Sequence, residues 1–213
     1  MTTFILIRHG ESEANRQRIF AGQVDPDLQN KGLKQAQETA KYIAANYQVD
    51  KIYSSDLKRA YNTAKCLADI LKLEIIPNRN LREINAGKWE GMKFDDIATV
   101  YTEEYDTWIN HIGHSKCGGG ETVKQLGDRI MRELTKIAEE NDGKTIAIAT
   151  HATPIRTVQS IIQTGALDEM ENIPWVSNAS VTILTYNNHS WNIVKAGEDK
   201  HLSALKTELP PNV

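Results

Sequence analysis

The chain has 213 residues, 40% hydrophobic and 25% charged, with a formal net charge of -3. That length fits one large domain or two small ones, and the composition excludes a disordered or fibrous chain. The slight acidity argues against a broad basic face for nucleic acid, and no apolar run reaches the roughly 20 residues of a membrane span. The opening MTTFILIRHG has a short apolar run, but no basic segment precedes it and no small-residue cleavage site follows. A cytoplasmic protein with no membrane or nucleic-acid partner is expected. Cys66 and Cys117 are too few for a disulfide framework.

Phe4-Ile5-Leu6-Ile7, bounded by Gly10, reads as a strand buried on both faces. Residues 31–47 follow a helical period, with Leu33, Ala36, Ala40, Ile43, Ala44 and Tyr47 on one stripe. Ile52-Tyr53-Ser54 is a short strand. Leu57, Ala60, Ala64, Leu67, Ala68 and Leu71 form a second helical stripe, with Ser55 or Asp56 as its N-cap. Leu73 to Pro77 reads as a third strand. Val123, Leu126, Ile130, Leu134, Ile137 and Ala138 mark an amphipathic helix that Asn141-Asp142-Gly143 ends. Thr145–Ala149 is another buried strand, and Pro154 suits the first turn of the helix after it. Val181–Tyr186 and Trp191–Lys195 flank Asn187-Asn188 as a hairpin. The tail from about 198, with Pro210-Pro211, reads as irregular.

Strands alternating with helices imply a parallel sheet covered on both faces, to which the hairpin adds an antiparallel strand. Residues 86–120 break the alternation and are rich in aromatics and glycine. They read as an inserted cap on a single domain spanning 1–213.

Ligands of open α/β sheets bind beyond the carboxyl ends of the strands. Arg8-His9-Gly10-Glu11 follows the first strand, Ser55-Asp56-Leu57-Lys58-Arg59 the second, and Thr150-His151 the Thr145–Ala149 strand. If these strands are neighbours, two imidazoles and two guanidiniums share one crevice, which calls for an anion such as a phosphoryl group. Taken singly, each residue has a plainer reading. His-Gly can be turn chemistry, Arg59 can pair with Asp56, and Glu11 can orient His9 or face solvent. Glu83 stands where a carboxyl group could protonate a leaving oxygen.

In this order the motifs resemble the histidine phosphatase, or phosphoglycerate mutase-like, superfamily. Arg8-His9-Gly10-Glu11-Ser12 with Asn15 looks like its signature loop, and Leu28-Gln29-Asn30-Lys31-Gly32 is similar to its next run. Ser54–Ala60 resembles the second-arginine segment, and Leu81-Arg82-Glu83-Ile84 with Gly87 and Trp89-Glu90-Gly91 the acid segment. Gly119-Gly120-Glu121-Thr122 resembles the lead-in to the next helix, and Thr150-His151 the second-histidine segment. The resemblance implies a three-layer α/β/α sandwich with a mostly parallel mixed sheet and a small inserted cap. It implies His9 as a nucleophile forming a phosphohistidine. Arg8, Arg59 and His151 would hold the phosphoryl group, with Asn15 as a further donor. Glu83 would be general acid and then base, Gln23 a substrate-side contact, and the backbone N–H of Ala152 a donor. No cofactor or metal is implied, since arginines can neutralise the phosphate. Members are often homodimers, although nothing in this sequence requires it.

The same pocket serves hydrolases and mutases. Mutases of the family carry an arginine pair after a cap tryptophan. Here Ile109-Asn110-His111 follow Trp108, which points to a phosphatase acting on a small phosphorylated metabolite. A phosphoglycerate mutase is the alternative, and an inactive phosphate-binding regulator a further one. The cap aromatics either meet a ring-bearing leaving group or pack the cap. His111, His114 and Cys117 are ligand types for zinc, but no fourth ligand is apparent.

Overall fold

Alternate residues of the first strand bury on opposite faces. In the computed structural model, which describes residues 1–208, β1 (Thr2–Arg8) places Phe4 and Leu6 in one core and Ile5 and Ile7 in another. β4 (Thr145–Thr150) repeats the split, with Ile146 and Ile148 on the first side and Ala147 and Ala149 on the second. A strand covered on both faces has no polar side, hence the unbroken apolar runs.

With β2 (Lys51–Ser54), β3 (Ile75–Pro77), β5 (Val181–Asn187) and β6 (Ser190–Glu198) these strands form one six-stranded sheet, ordered β3-β2-β4-β1-β5-β6. β1 pairs parallel to β4, β4 to β2 and β2 to β3, whereas β5 runs antiparallel to both β1 and β6. Helices α2 (Asn30–Asn46) and α3 (Lys58–Leu71) cover one face, through residues such as Ala40, Ile43, Ala60, Ala64 and Leu67. Helices α6 (Val123–Glu139) and α7 (Ala152–Thr164) cover the other, through Ile130, Leu134, Ile155 and Val158. This is a three-layer α/β/α sandwich on a mixed sheet.

A short helix α1 (Glu13–Gln17) follows the first strand. Residues 86–120 add no strand. They contain α4 (Phe94–Val100), α5 (Thr102–Asn110) and short 3-10 turns, packed around a third cluster centred on Trp89, Trp108 and Phe20. The glycines of 118–120 serve this packing. A Cβ on Gly120 would lie 2.2 Å from the carbonyl oxygen of Asn85, and one on Gly87 2.5 Å from that of Gly118.

Several local expectations are corrected. Leu33 is 43% exposed, because the buried stripe of α2 runs through Gly32, Gln35, Ala36, Thr39, Ala40 and Ile43. Neither Ser55 nor Asp56 caps α3. The N-cap position is Leu57, and Asp25 accepts from the Lys58 N–H at 2.7 Å from a distant loop. The third strand starts at Ile75, not Leu73. The hairpin turn is Asn188-His189, both at positive φ, as a type I′ turn requires. The tail is not irregular throughout: Lys200–Leu205 forms 3-10 turns against α2. Pro210-Pro211 lies outside the described residues. No helix among the described residues is long and apolar enough to cross a membrane.

Candidate active site

Parallel pairing brings the strand ends together. Arg8 is in register with Thr150, and Ser54 with Ala149, so His9, Ser55 and His151 emerge side by side. The His9 and His151 rings lie 5.1 Å apart, edge to face. The loop after β1 is pressed onto the start of α2: a Cβ on Gly10 would lie 2.3 Å from the Gly32 carbonyl oxygen. Only glycine permits that approach, which links the first two motifs of the sequence.

The surroundings of His9 set its tautomer. Nδ1 donates to the Gly10 carbonyl at 2.7 Å, which leaves Nε2 unprotonated, and Arg59 Nε donates to Nε2 at 3.3 Å. Burial, then Arg59 and Arg8, hold the His9 pKa well below the ordinary imidazole value. A neutral ring with its Nε2 lone pair toward the cavity is the form of imidazole that nucleophilic attack requires. His151 is fully buried, with Nε2 2.8 Å from Ser55 Oγ. The Leu57 N–H donates to that hydroxyl, so its hydrogen can go to Nε2 and the ring proton to Nδ1. Burial is also the main cause of the lowered His151 pKa.

Arg59 does not pair with Asp56, which instead takes a forked bond from Arg82 at 2.5 and 2.6 Å. Arg59 is buried, and its nitrogens donate to the carbonyls of Gly22 and Val24. Arg8 donates to the Val176 carbonyl at 2.5 Å, and burial lowers its pKa to about 10. Among the described residues these two buried cations bond carbonyls and no carboxylate. Buried donors normally find an acceptor, yet Arg8 Nε and His151 Nδ1 have none among the described residues. Such a set is matched to an anion with several acceptor oxygens.

Glu83 lies across this group. It is buried, its Oε1 accepts from Ile84 N–H at 2.8 Å and its Oε2 from Thr153 N–H at 3.4 Å. Burial raises its pKa against those hydrogen bonds and the charge of Arg59. A carboxyl group so placed retains its proton above the usual carboxylate range, as a general acid must. Arg8, His9, Arg59, Glu83, Asn15 and Ala152 line one cavity of about 490 Å³, and His151 lies fully buried beside His9, behind that lining.

A family model described as the histidine phosphatase superfamily (branch 1) matches residues 4–199. The chain belongs to this superfamily. It is 31% identical over 208 residues to a metal-independent phosphoserine phosphatase of Arabidopsis thaliana, covering 96% of this chain and 85% of the relative. It is 30% identical over 201 residues to phosphoglycerate mutase-like protein 4 of the same plant, covering 93% and 86%. Among solved structures, Bacillus stearothermophilus YhfR superposes with a TM-score of 0.90 at 27% identity, covering 95% of this chain and 100% of that one. A phosphoserine phosphatase of Entamoeba histolytica, solved in complex with phosphoserine, superposes at 0.83 and 27%, covering 95% and 100%. The chain is a phosphatase of this superfamily.

In this histidine phosphatase some residues sit elsewhere than the sequence suggested. Gln23 does not line the cavity. Its amide donates to the Glu83 carbonyl at 3.2 Å and its oxygen faces Arg82, behind the acid. Glu11 does not orient His9. It accepts from Lys31 at 3.1 Å and from the Thr207 hydroxyl at 3.0 Å, and so ties the C-terminal segment to the signature loop. Gln35 adds bonds to the Leu205 carbonyl and to Thr207, and Lys206, Thr207 and Glu208 form part of the cavity wall. The Asn15 oxygen closes the α1 capping box with Ser12, so only its amide remains for a ligand.

Other contributors escaped sequence reasoning. Asn178 donates to the His9 carbonyl and to Asn15. Trp175 stands over the guanidinium of Arg156 at 4.2 Å, and Arg156 bonds the carbonyls of Ile173 and Glu171. That holds the loop whose Val176 carbonyl anchors Arg8. Trp108 packs the cap, against Phe20, Trp89 and Trp175, and its edge also lines the cavity. Cys117 is buried, His114 faces Asp168, and no metal-binding cluster of His, Cys, Asp or Glu occurs among the described residues.

Proposed function

We propose that this phosphatase works through a phosphohistidine on His9, with Arg8, Arg59, His151, Asn15 and the Ala152 N–H as phosphoryl ligands and Glu83 as acid and then base. The observation that carries the reading is the unprotonated Nε2 of His9, fixed by the Nδ1 bond to Gly10 and touched only by a long 3.3 Å bond from Arg59 among the described residues. Charge builds on the equatorial oxygens in a loose phosphoryl-transfer transition state, and preorganised cations stabilise it without reorganisation. Capture on nitrogen splits one displacement into two easier ones.

The leaving group is a small polar alcohol bearing further charge, with phosphoserine the first to test. Support comes from the phosphoserine phosphatases among the relatives and from cations on the cavity wall, Arg16, Arg18, Lys31 and Lys206. We place the enzyme in the cytoplasm, a setting that suits its two free thiols, Cys66 and Cys117.

The test is a hydrolysis screen over phosphorylated metabolites in the presence of a chelator, with 3-phosphoglycerate and its bisphosphate run alongside as a mutase assay. Phosphate release from phosphoserine, unaffected by chelator, is expected. Interconversion of phosphoglycerates with little phosphate release would replace hydrolysis by mutase action. Phosphate binding without turnover of any ester would leave an inactive regulator.

A ligand effect on stability follows from the unpaired cations. Inorganic phosphate at about 100 times its Kd should stabilise the fold by about 2.7 kcal/mol, seen as a rise in Tm. Arg59→Met should lose most of that rise. An equal rise in the variant would remove Arg59 from the phosphate site.

A further inference from the structure

The acid reaches the site from a segment with no strand partner. Glu83 lies between a 3-10 turn at Arg79–Leu81 and another at Gly87–Trp89, outside the sheet. Its carboxylate has two N–H bonds, one of them 3.4 Å long, so its position depends on the backbone beneath it. Side chains hold that backbone. The carbonyls of Asn80, Arg82 and Glu83 all accept from one guanidinium, that of Arg129, at 2.8, 3.1 and 3.3 Å. The remaining carbonyl, of Leu81, accepts from the Thr150 hydroxyl at 2.7 Å.

Arg129 is itself fixed. Its Nε and Nη2 make a forked pair with Glu121, both bonds 2.9 Å, and the side chains are 20% and 16% exposed. Glu121 also accepts from the Asn85 N–H, and its own N–H donates to the Asn85 carbonyl at 2.8 Å. One turn further along α6, the Glu133 carboxylate accepts from Asn78 and Asn80 at 2.8 and 2.7 Å. The polar edge of α6 is therefore a ledge for residues 78–85. Arg129 lies outside the lining of the cavity that holds His9 and Glu83, and its guanidinium is taken up by the Glu121 carboxylate and three carbonyls.

We propose that Arg129, oriented by Glu121, is a positioning residue for the general acid: its fork sets the backbone from which Glu83 reaches the leaving oxygen. The proposal rests on the acid role of Glu83. It also gives the Gly-Gly-Glu-Thr motif a task that its position before a helix does not reveal. Lysine could keep the charge at 129 but could not bond three carbonyls and a carboxylate in a plane.

The experiment compares single-turnover alcohol release from an activated aryl phosphate and from an alkyl phosphate. It uses wild type, Arg129→Gln, Arg129→Lys, Glu83→Gln and the Arg129→Gln/Glu83→Gln double variant, each checked for folding by circular dichroism. A displaced acid should slow the alkyl ester by on the order of 10²-fold and the aryl ester little, with Arg129→Lys behaving like Arg129→Gln. Adding Arg129→Gln to Glu83→Gln should cost nothing further. Glu121→Gln should show the same ester dependence at smaller size, and it carries the test if Arg129→Gln does not fold. Equal slowing of both esters by Arg129→Gln, an additive loss in the double variant, or full rescue by lysine would overturn the positioning role while leaving Glu83 as the acid. If Glu83→Gln itself slows both esters equally, the acid reading fails and takes the proposal with it.

Discussion

Replacing His9 by alanine is expected to lower turnover of every phosphomonoester by about 10⁴- to 10⁶-fold, the scale on which preorganised sites lose activity without their nucleophile. The chain should stay folded. Among the described residues the His9 ring bonds its neighbour's carbonyl and Arg59 Nε, and Arg59 keeps its two carbonyl partners without it, whereas the backbone bonds to Thr150 and Asn178 do not involve the side chain. Phosphate should still bind, because Arg8 and Arg59 are anchored by the carbonyls of Val176, Gly22 and Val24 and not by His9 alone. Rapid quenching of wild type with labelled ester should trap one phosphoryl group per chain in a linkage stable to base and labile to acid, as expected of a phosphoramidate. The alanine variant should trap none. Turnover that survives the substitution, or a trapped phosphate that is acid-stable and base-labile, would move the covalent step to another residue.

Much of this site is legible in the sequence because parallel pairing turns strand ends into neighbours. Two buried apolar runs each end one or two residues before a histidine, and the register of β1 on β4 does the rest. Arg59 shows itself as a cation at a helix start, where the dipole disfavours one. Glu83 is different. Its segment follows no period, so spacing marks it weakly and only the family resemblance assigns it a role. Gln23 shows a related limit: a loop motif gives the position of a residue but not the side to which its side chain turns, here toward the Glu83 carbonyl and Arg82. Asn178, Trp175 and Thr207 act from places set by tertiary packing, where no local signal exists. Leu33 shows the limit of periodicity itself, since a stripe may include a residue at its edge that the neighbouring helix does not reach.

Glu83→Gln is expected to reshape the pH profile as well as lower the rate. In the wild type two shifts widen the active range. The His9 pKa is depressed, so the ring stays neutral, and the low-pH loss of activity begins only where acid protonates it, well below the ordinary imidazole value. The Glu83 pKa is raised, so its proton persists to higher pH, and activity on poor leaving groups falls as pH climbs through that raised value. A dianionic phosphoryl group nearby raises it further. Glutamine can donate a hydrogen bond but no proton. Phosphoryl transfer from an alkyl ester should therefore slow by about 10²- to 10⁴-fold, and the high-pH limb of its single-turnover rate should disappear. An activated aryl ester expels a stable alcoholate and should still phosphorylate His9 quickly. The second step then fails, because no carboxylate takes the proton from water, so the variant should release a burst of one aryl alcohol per chain and then stall. A burst distinguishes the two roles of one residue: the acid is dispensable for a good leaving group, the base for none. A high-pH limb that survives the substitution would belong to another group, and a missing burst would mean that glutamine had disturbed the nucleophile.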